Sequence, residues 1–474
     1  MTFYNRADEL SFLAAQARGD RAALVVLYGR RRTGKTALLR RFAGTRRGIF
    51  FVADAASRGD QLASFAQVVF PALGEPGLDG TSFPSWDAAL RFVASRATDR
   101  PLLLVLDEFP YLCTADPSLP SVLQRLWDTE LRDTRLLLVL CGSYVSFMER
   151  EVLGAKNPLY GRRTGEYLLA PLRFRDARLF FRRYAAADQV TAYGILGGIP
   201  AYLELFDPAR SIADNTVSAI LSPGGPLYNE PRFLLMEELR EPQTYFSICR
   251  AVAFGRTTPN EIAQAAGVAD RGVVSRYLET LRELRVLERR TPSTERNPER
   301  TRRGRYRLAD PFFRFWFRFV LPNRSALEAG DPRHVWTSKV APQLEQHVSL
   351  AFEEACEQHL WDLNRTGRLP ARYDRIGGWW RGGQEVDSVA IADGGNLLLG
   401  ECKWSVRAVG TDVLDALVAK APSVLADIPG RQKEIRYALW SRAGFTPDLR
   451  RRARRERVLL YDLASLTGGR GKGP

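Results

Sequence analysis

Histidine is nearly missing from this chain, with three copies in 474 residues (His334, His347 and His359), and so few imidazoles argue against zinc ligation. Cysteine is almost as scarce: Cys113, Cys141, Cys249, Cys356 and Cys402 are scattered without paired spacing and sit mostly in apolar runs. That pattern excludes a disulfide framework and predicts buried thiols in a reducing compartment. Uninterrupted apolar stretches fall well short of the roughly 18 residues a membrane span needs. The N-terminal "MTFYNRADEL" has neither a basic n-region nor an apolar h-region. The expectation is a soluble, cytoplasmic protein with no membrane partner. Low-complexity tracts and fixed-period repeats are also missing, which excludes solenoid architectures.

What is present is the material of folded domains, with 45% hydrophobic and 11% aromatic residues. The length predicts roughly three domains at about 150 residues each. Lysine and arginine outnumber acids 69 to 54, a formal charge of +15. Such a field attracts polyanions and makes DNA a candidate partner; an arginine-rich genome would leave the same mark.

"LVVLYGRRRTGKTALLRRF" reads as a buried strand, a tight loop and a helix. The loop fits G-x-x-x-x-G-K-[ST] over Gly29, Arg30, Arg31, Arg32, Thr33, Gly34, Lys35 and Thr36, with Ala37 opening the helix. Glycines allow backbone N–H groups to turn inward around phosphate. Lys35 then reaches the β and γ oxygens and Thr36 ligates magnesium, so ATP and Mg2+ are the expected cofactors. "PLLLVLDEFPYL" supplies the second strand, ending in Asp107 for the magnesium shell and Glu108 to polarise the attacking water. A third strand, "RLLLVLCGSY", ends in Ser143, where a hydroxyl can sense the γ-phosphate. Arg162 and Arg163 in "PLYGRRTG" are either arginine fingers acting on a neighbouring subunit of a homo-oligomer or a surface pair.

In order, "FYNRADELSFL", "GRRRTGKT", "LDEFPYL", "CGSYVSFMER", "PLYGRRTG" and "GGIPAYLELF" resemble the archaeal-type P-loop ATPases of the AAA+/STAND group. The resemblance implies that Arg6 and Glu9 lie near the adenine-side entrance. It also implies that Gly198 and Pro200 belong to a lid segment touching the nucleotide.

Further along, "TTPNEIAQAAGVADRGVVSRYLETLRELRVLERR" predicts two helices broken at Gly267, followed by a strand and the charged stretch "TPSTERNPERTRRGRYRL". Helix, turn, helix and wing make a winged helix. Arg271, Ser275 and Arg276 start its recognition helix, and Arg300, Arg302, Arg303 and Arg305 load its wing for phosphate contact. Such a module can equally close over the nucleotide or pack on the next domain. "LADPFFRFWFRFVLP" then offers either base-stacking rings or an aromatic docking core.

The last segment carries "EVDSVAIADGGNLLLGECKW", two strands around a "DGG" turn. Glu401 and Lys403 are two apart, so they share a face while Cys402 points away. With the amphipathic helix "SLAFEEACEQHLW" before it, D-x13-E-x-K resembles the PD-(D/E)xK nuclease-like fold. The resemblance implies that Asp387 and Glu401 hold magnesium, that Lys403 steadies hydroxide or the scissile phosphate, and that Glu353 or Glu354 completes the shell. The basic stretch Arg450 to Arg457 can add phosphate contacts.

The expected fold is therefore α/β: a P-loop ATPase core with a parallel sheet over 1–175, a helical lid over 176–245, a winged helix over 246–320 and a nuclease-like α/β domain over 321–474. The expected function is an ATP-hydrolysing switch acting on DNA. The alternative is an ATP-dependent regulatory scaffold whose C-terminal domain binds a protein partner without cutting.

Overall fold

The computed structural model describes residues 3–75, 80–155, 157–239, 241–428, 430 and 434–468. The chain divides into two compact units, Met1–Pro171 and Leu172–Pro474.

The first unit is built on a five-stranded sheet: β1 (Ala23–Tyr28), β2 (Gly48–Val52), β3 (Leu102–Asp107), β4 (Leu136–Gly142) and β5 (Gly165–Leu168). All neighbours pair in parallel, in the order β2-β3-β4-β1-β5. Every residue of β1, β3 and β4 is buried, which is why these strands read as unbroken apolar runs. Alternate residues feed two cores. Leu24, Val26, Leu104, Leu106, Leu138 and Leu140 face the helices Arg58–Leu73 and Trp86–Ser95; Val25, Leu27, Val105 and Val139 face Leu38, Leu39 and Phe42 of the helix Lys35–Ala43. The chain leaves β1, crosses to the far edge and returns to β4 beside it. This reversal places a crevice at the carboxyl ends of β1, β3 and β4.

In the second unit the expected helix–turn–helix segment forms helices Pro259–Ala266 and Arg271–Glu283. Thr258 and Glu261 make a reciprocal capping box at the first, Gly267 ends it in the left-handed region (φ 70°), and the Asp270 side chain caps the second. An antiparallel ribbon of β6 (Leu287–Arg290) and β7 (Arg305–Leu308) follows. Rings Phe312, Phe313, Phe315, Trp316 and Phe317 are wholly buried in one continuous core with helices from 190 to 360. Of the two expectations for this segment, base stacking fails, because these rings have no exposed face.

The C-terminal sheet has the order β12-β11-β10-β9-β8. Its strands are β8 (Arg375–Arg381), β9 (Gln384–Ile391), β10 (Asn396–Lys403), β11 (Glu434–Ser441) and β12 (Leu459–Asp462). β8, β9 and β10 pair antiparallel, and β10, β11 and β12 parallel. The long helix Ala341–Arg365 covers one face, with Phe352, Cys356 and Leu360 in the same core as Leu398, Cys402 and Trp440. Helices Thr411–Leu425 and Pro447–Glu456 cover the other, placing Leu414, Leu417 and Leu449 against Leu397, Leu399 and Leu439. No helix among the described residues is long and apolar enough to cross a membrane.

Candidate nucleotide site and acid–lysine cluster

The loop between β1 and its helix is strained where a phosphate cradle requires it. Gly29 has φ 153°, and a Cβ there would stand 2.5 Å from the Leu169 carbonyl oxygen; Gly34 has φ 92°. Lys35 is buried, and its Nζ donates to the carbonyls of Gly29 (2.7 Å) and Arg30 (3.0 Å). Burial lowers its pKa, against the opposing pull of Cys141, Glu108 and Asp107. Arg31 donates to the hydroxyls of Tyr144 (2.9 Å) and Tyr111 (3.2 Å), a tether absent from the motif itself. Arg6, also buried, donates to the Thr33 carbonyl at 3.1 Å, the Ala170 carbonyl at 2.9 Å and Glu9 at 2.9 Å. It thus staples the loop to the chain leaving β5.

At the ends of β3 and β4 the remaining expected groups converge. The Thr36 hydroxyl donates to Asp107 Oδ2 at 2.7 Å. Glu108 takes a left-handed backbone (φ 53°), which for a residue with a Cβ costs about 1–2 kcal/mol. Its Oε1 accepts from the Ser143 hydroxyl, whereas its Oε2 is buried and finds no partner among the described residues. Burial, with Asp107 alongside, raises the Cys141 thiol pKa well above its usual value, so the thiol beneath the loop stays neutral.

Arg162 and Arg163 are engaged within the unit: Arg162 grips Asp128 (2.7 Å) and the Pro158 carbonyl, while Arg163 pairs with Glu166 (2.8 Å) and the Leu153 carbonyl. Gly198 lies in the second unit, where a Cβ would fall 1.9 Å from the Leu172 carbonyl oxygen, and Pro200 opens the short helix Pro200–Leu203.

In the C-terminal sheet, a register shift of the β8/β9 ladder between Gly377 and Trp379 sits opposite Asp387. Such a bulge re-aims a side chain, and Asp387 Oδ2 accepts from the Cys402 amide at 2.7 Å. Lys403 Nζ donates to Glu401 Oε1 at 2.7 Å, and Lys420, from the helix Thr411–Leu425, donates to Glu401 Oε2 at 3.1 Å. Burial, reinforced by Glu401, raises the Asp387 pKa to about 6. Burial and the Asp387 charge raise Glu353 to about 8.

Two expectations need correction. Glu354 does not complete a metal shell. Burial alone would raise its pKa, but Arg314 (2.9 Å) and Arg307 (3.1 Å) outweigh this and bring it to about 2, and both its oxygens serve those arginines. Nor are three or more His, Cys, Asp or Glu side chains gathered at metal-binding spacing among the described residues. The wing arginines also divide. Arg303 binds Asp427 and Glu295, and Arg305 lies over the Trp380 ring at 4.7 Å and 3.5 Å from Glu385, so both face the C-terminal sheet; Arg300 and Arg302 remain exposed. The side chain of Arg271 lies outside the described set, and Arg276 is exposed. In the helix Pro447–Glu456, Arg452 pairs with Asp415 and Glu456, and Arg454 is exposed.

Comparison with known proteins now gives this geometry a family. Residues 3–206 match a family described as an ATPase domain predominantly from Archaea, and residues 316–412 match one described as archaea bacterial proteins of unknown function. The uncharacterised protein MJECL04 of Methanocaldococcus jannaschii is 33% identical over 404 residues, covering 85% of this chain and 87% of its own. The uncharacterised ATP-binding protein MJ0423 of the same organism is 50% identical over 40 residues, 8% of this chain and 68% of its own. Among solved structures, the Walker-type ATPase PABY2304 of Pyrococcus abyssi superposes with a TM-score of 0.50 at 21% identity, covering 67% of this chain and 96% of that one; this likeness shows a shared fold. Related to MJECL04 over nearly the whole of both chains, the protein belongs to the family of archaeal-type ATPases that carry a P-loop domain at the N-terminus and the second matched region behind it.

Proposed function

We propose that the protein is a magnesium-dependent, ATP-hydrolysing switch of AAA+/STAND type that acts on DNA through its winged-helix segment and a nuclease-like C-terminal module. The observation that carries the ATPase half is the meeting of Thr36, Asp107, Lys35, Glu108 and Ser143 at the ends of the three adjacent strands β1, β3 and β4. The residues fit the implied cofactors: two oxygens 2.7 Å apart on Thr36 and Asp107 suit a hard cation, and a buried ammonium held only by carbonyls is free to turn to phosphate. Lys35 holds the β and γ oxygens, Thr36 and Asp107 hold magnesium, and the orphaned Glu108 Oε2 accepts a hydrogen bond from the attacking water while Ser143 fixes the other oxygen. Magnesium, when bound, would neutralise charge that develops on the phosphates. Arg162 or Arg163 can serve a neighbouring subunit only by releasing Asp128 or Glu166.

In the C-terminal module Asp387 and Glu401 would hold magnesium and Lys403 would steady the nucleophile or the phosphate. Support comes from a five-stranded mixed sheet with Asp387 at a bulge and Glu401 and Lys403 on one face of β10. The test is ATP turnover with and without supercoiled plasmid, the plasmid then being run on a gel. DNA-stimulated turnover and nicking that Asp387→Ala removes support both halves. Turnover indifferent to DNA, with intact plasmid, overturns the DNA half.

A second reading, a regulatory scaffold that binds a protein partner without cutting, draws on one observation: both Glu401 oxygens are already held by lysines. Metal there must displace one of them. Intact plasmid with unchanged ATP turnover favours this reading.

A further inference from the structure

Within the second unit lies a cavity of about 700 Å³ that none of the expected motifs accounts for. The wing strand β7, the aromatic segment and the long helix Ala341–Arg365, with Glu353, form its walls, and β8 and β9, with Asp387, complete the lining. Its size falls within the roughly 300–1,000 Å³ of small-ligand pockets and cannot admit a duplex. Six cations line it against three acids, but they are not equivalent. Arg290, Arg307 and Arg314 are spent on Glu357, Glu288 and Glu354. Arg318 donates to the amide oxygens of Gln343 (3.2 Å) and Gln346 (2.7 Å) and lies over the Phe319 ring (5.4 Å), and Lys339 is exposed; neither pairs with a carboxylate among the described residues. An unneutralised guanidinium and ammonium in one concave wall call for an anion from outside. Phe254, just past the end of the helix Pro242–Ala253, also lines the cavity and is 55% exposed, so its ring is open to a ligand.

We propose that this cavity binds the end of a single DNA strand, with a phosphate on Arg318 and Lys339 and a base stacked on Phe254, so that the strand runs toward Asp387. A stacking ring beside phosphate-holding cations is the general chemistry of sequence-tolerant single-strand binding. The lone phosphate-and-base unit is shared with free nucleotides; the strand is favoured because Asp387, one of the carboxylates proposed above to act on phosphodiesters, lines the cavity. The inference rests on that reading, and its test is kept separate by measuring binding in EDTA, where no cutting occurs.

The experiment is fluorescence anisotropy of a labelled twelve-residue oligothymidylate with the full chain, titrated across salt concentrations. Arg318→Gln with Lys339→Gln should weaken binding at least tenfold and flatten the slope of log affinity against log salt by about 0.7 for each phosphate no longer neutralised. Phe254→Ala, at an exposed position where folding is not at risk, should weaken binding about fivefold or more without changing the salt slope. Wild-type binding that is unaltered in all these variants overturns the cavity assignment and leaves the nuclease-like reading standing. No binding by the wild-type protein overturns the strand assignment, while plasmid nicking decides the nuclease-like reading on its own. Competition by thymidine monophosphate as strong as by unlabelled oligonucleotide reassigns the cavity to free nucleotides and overturns its role for a strand.

Discussion

Each unit of the molecule carries two acids and a lysine near the ends of sheet strands, but the two sets are wired oppositely. In the first, Lys35 is held by backbone carbonyls and Glu108 keeps a buried oxygen without a partner, so cation and anion are both unspent. In the second, Lys403 and Lys420 occupy both oxygens of Glu401, and Asp387 accepts from a backbone amide. The same residue types thus give one site that needs a ligand to satisfy its charges and one that satisfies them internally. The first is preorganised for phosphate; the second must break an ion pair before a metal can enter, which costs part of the binding energy.

The strongest way to break this comparison is at the unspent lysine. Lys35→Ala should abolish ATP turnover, by at least about a hundredfold, with the fold intact by circular dichroism, because it removes the buried ammonium that is free to turn to phosphate. Wild-type turnover in that variant removes the loop from the mechanism. Glu108→Gln should slow hydrolysis by about 10²–10⁴-fold while ATP still binds, the scale expected for a lost general base. Fast hydrolysis would instead leave the orphaned oxygen without a catalytic meaning.

How far these sites were legible follows from how far apart in the chain their parts lie. Gly29 to Thr36 are consecutive, and Glu401 and Lys403 share one strand, so spacing alone placed them. Asp107 and Ser143 were legible because a buried parallel strand is a simple apolar run and the polar residue after it must lie at the crevice. Lys420 was not legible, since it belongs to a helix packed over β10 and nothing in the local pattern of that helix points at Glu401. The tyrosines on Arg31 come from residues 111 and 144 and were hidden for the same reason. The wing failed differently. The charge pattern loads Arg303 and Arg305 on the wing for phosphate contact, whereas Asp427, Glu385 and Trp380 receive them, and composition cannot say which anion an arginine will meet.

A third prediction contrasts both sites with a purely structural ion pair. Glu354→Gln should destabilise the second unit by about 3–5 kcal/mol at neutral pH, because it strands Arg314 in the interior and leaves Arg307 with Glu288 alone. The same group sets an acid limit. Its carboxyl titrates near 2 when folded and near 4.5 when unfolded, so the stability it confers is complete above 4.5 and is lost as pH falls toward 2. Buried His347 acts earlier: folded it resists protonation down to about 3, while the unfolded imidazole takes a proton near 6.5, so stability begins to fall below 6.5. Denaturant midpoints from pH 7 to pH 4 should fall steadily, and His347→Gln should flatten that fall above pH 4.5. An unchanged slope would mean that His347 is not held neutral.

The smallest expected effect sharpens the comparison most. If the second cluster differs from the first only because its lysines are spent, removing the lysine the sequence did not reveal should make the two alike. Lys420→Gln frees Glu401 Oε2 while leaving Lys403 on Oε1. In a Lys35→Ala background, where ATP no longer brings metal to the first unit, Mn2+ titrated by electron paramagnetic resonance should bind the Lys420→Gln protein several-fold more tightly. The gain should be modest, because Lys403 still holds Oε1, and the strength of metal binding should rise as Asp387 deprotonates above about pH 6. A gain abolished by Asp387→Asn would tie both carboxylates to one cation. Unchanged Mn2+ affinity would mean that the carboxylates are set too far apart for a shared ion, and the contrast between the units would then be one of geometry rather than of charge.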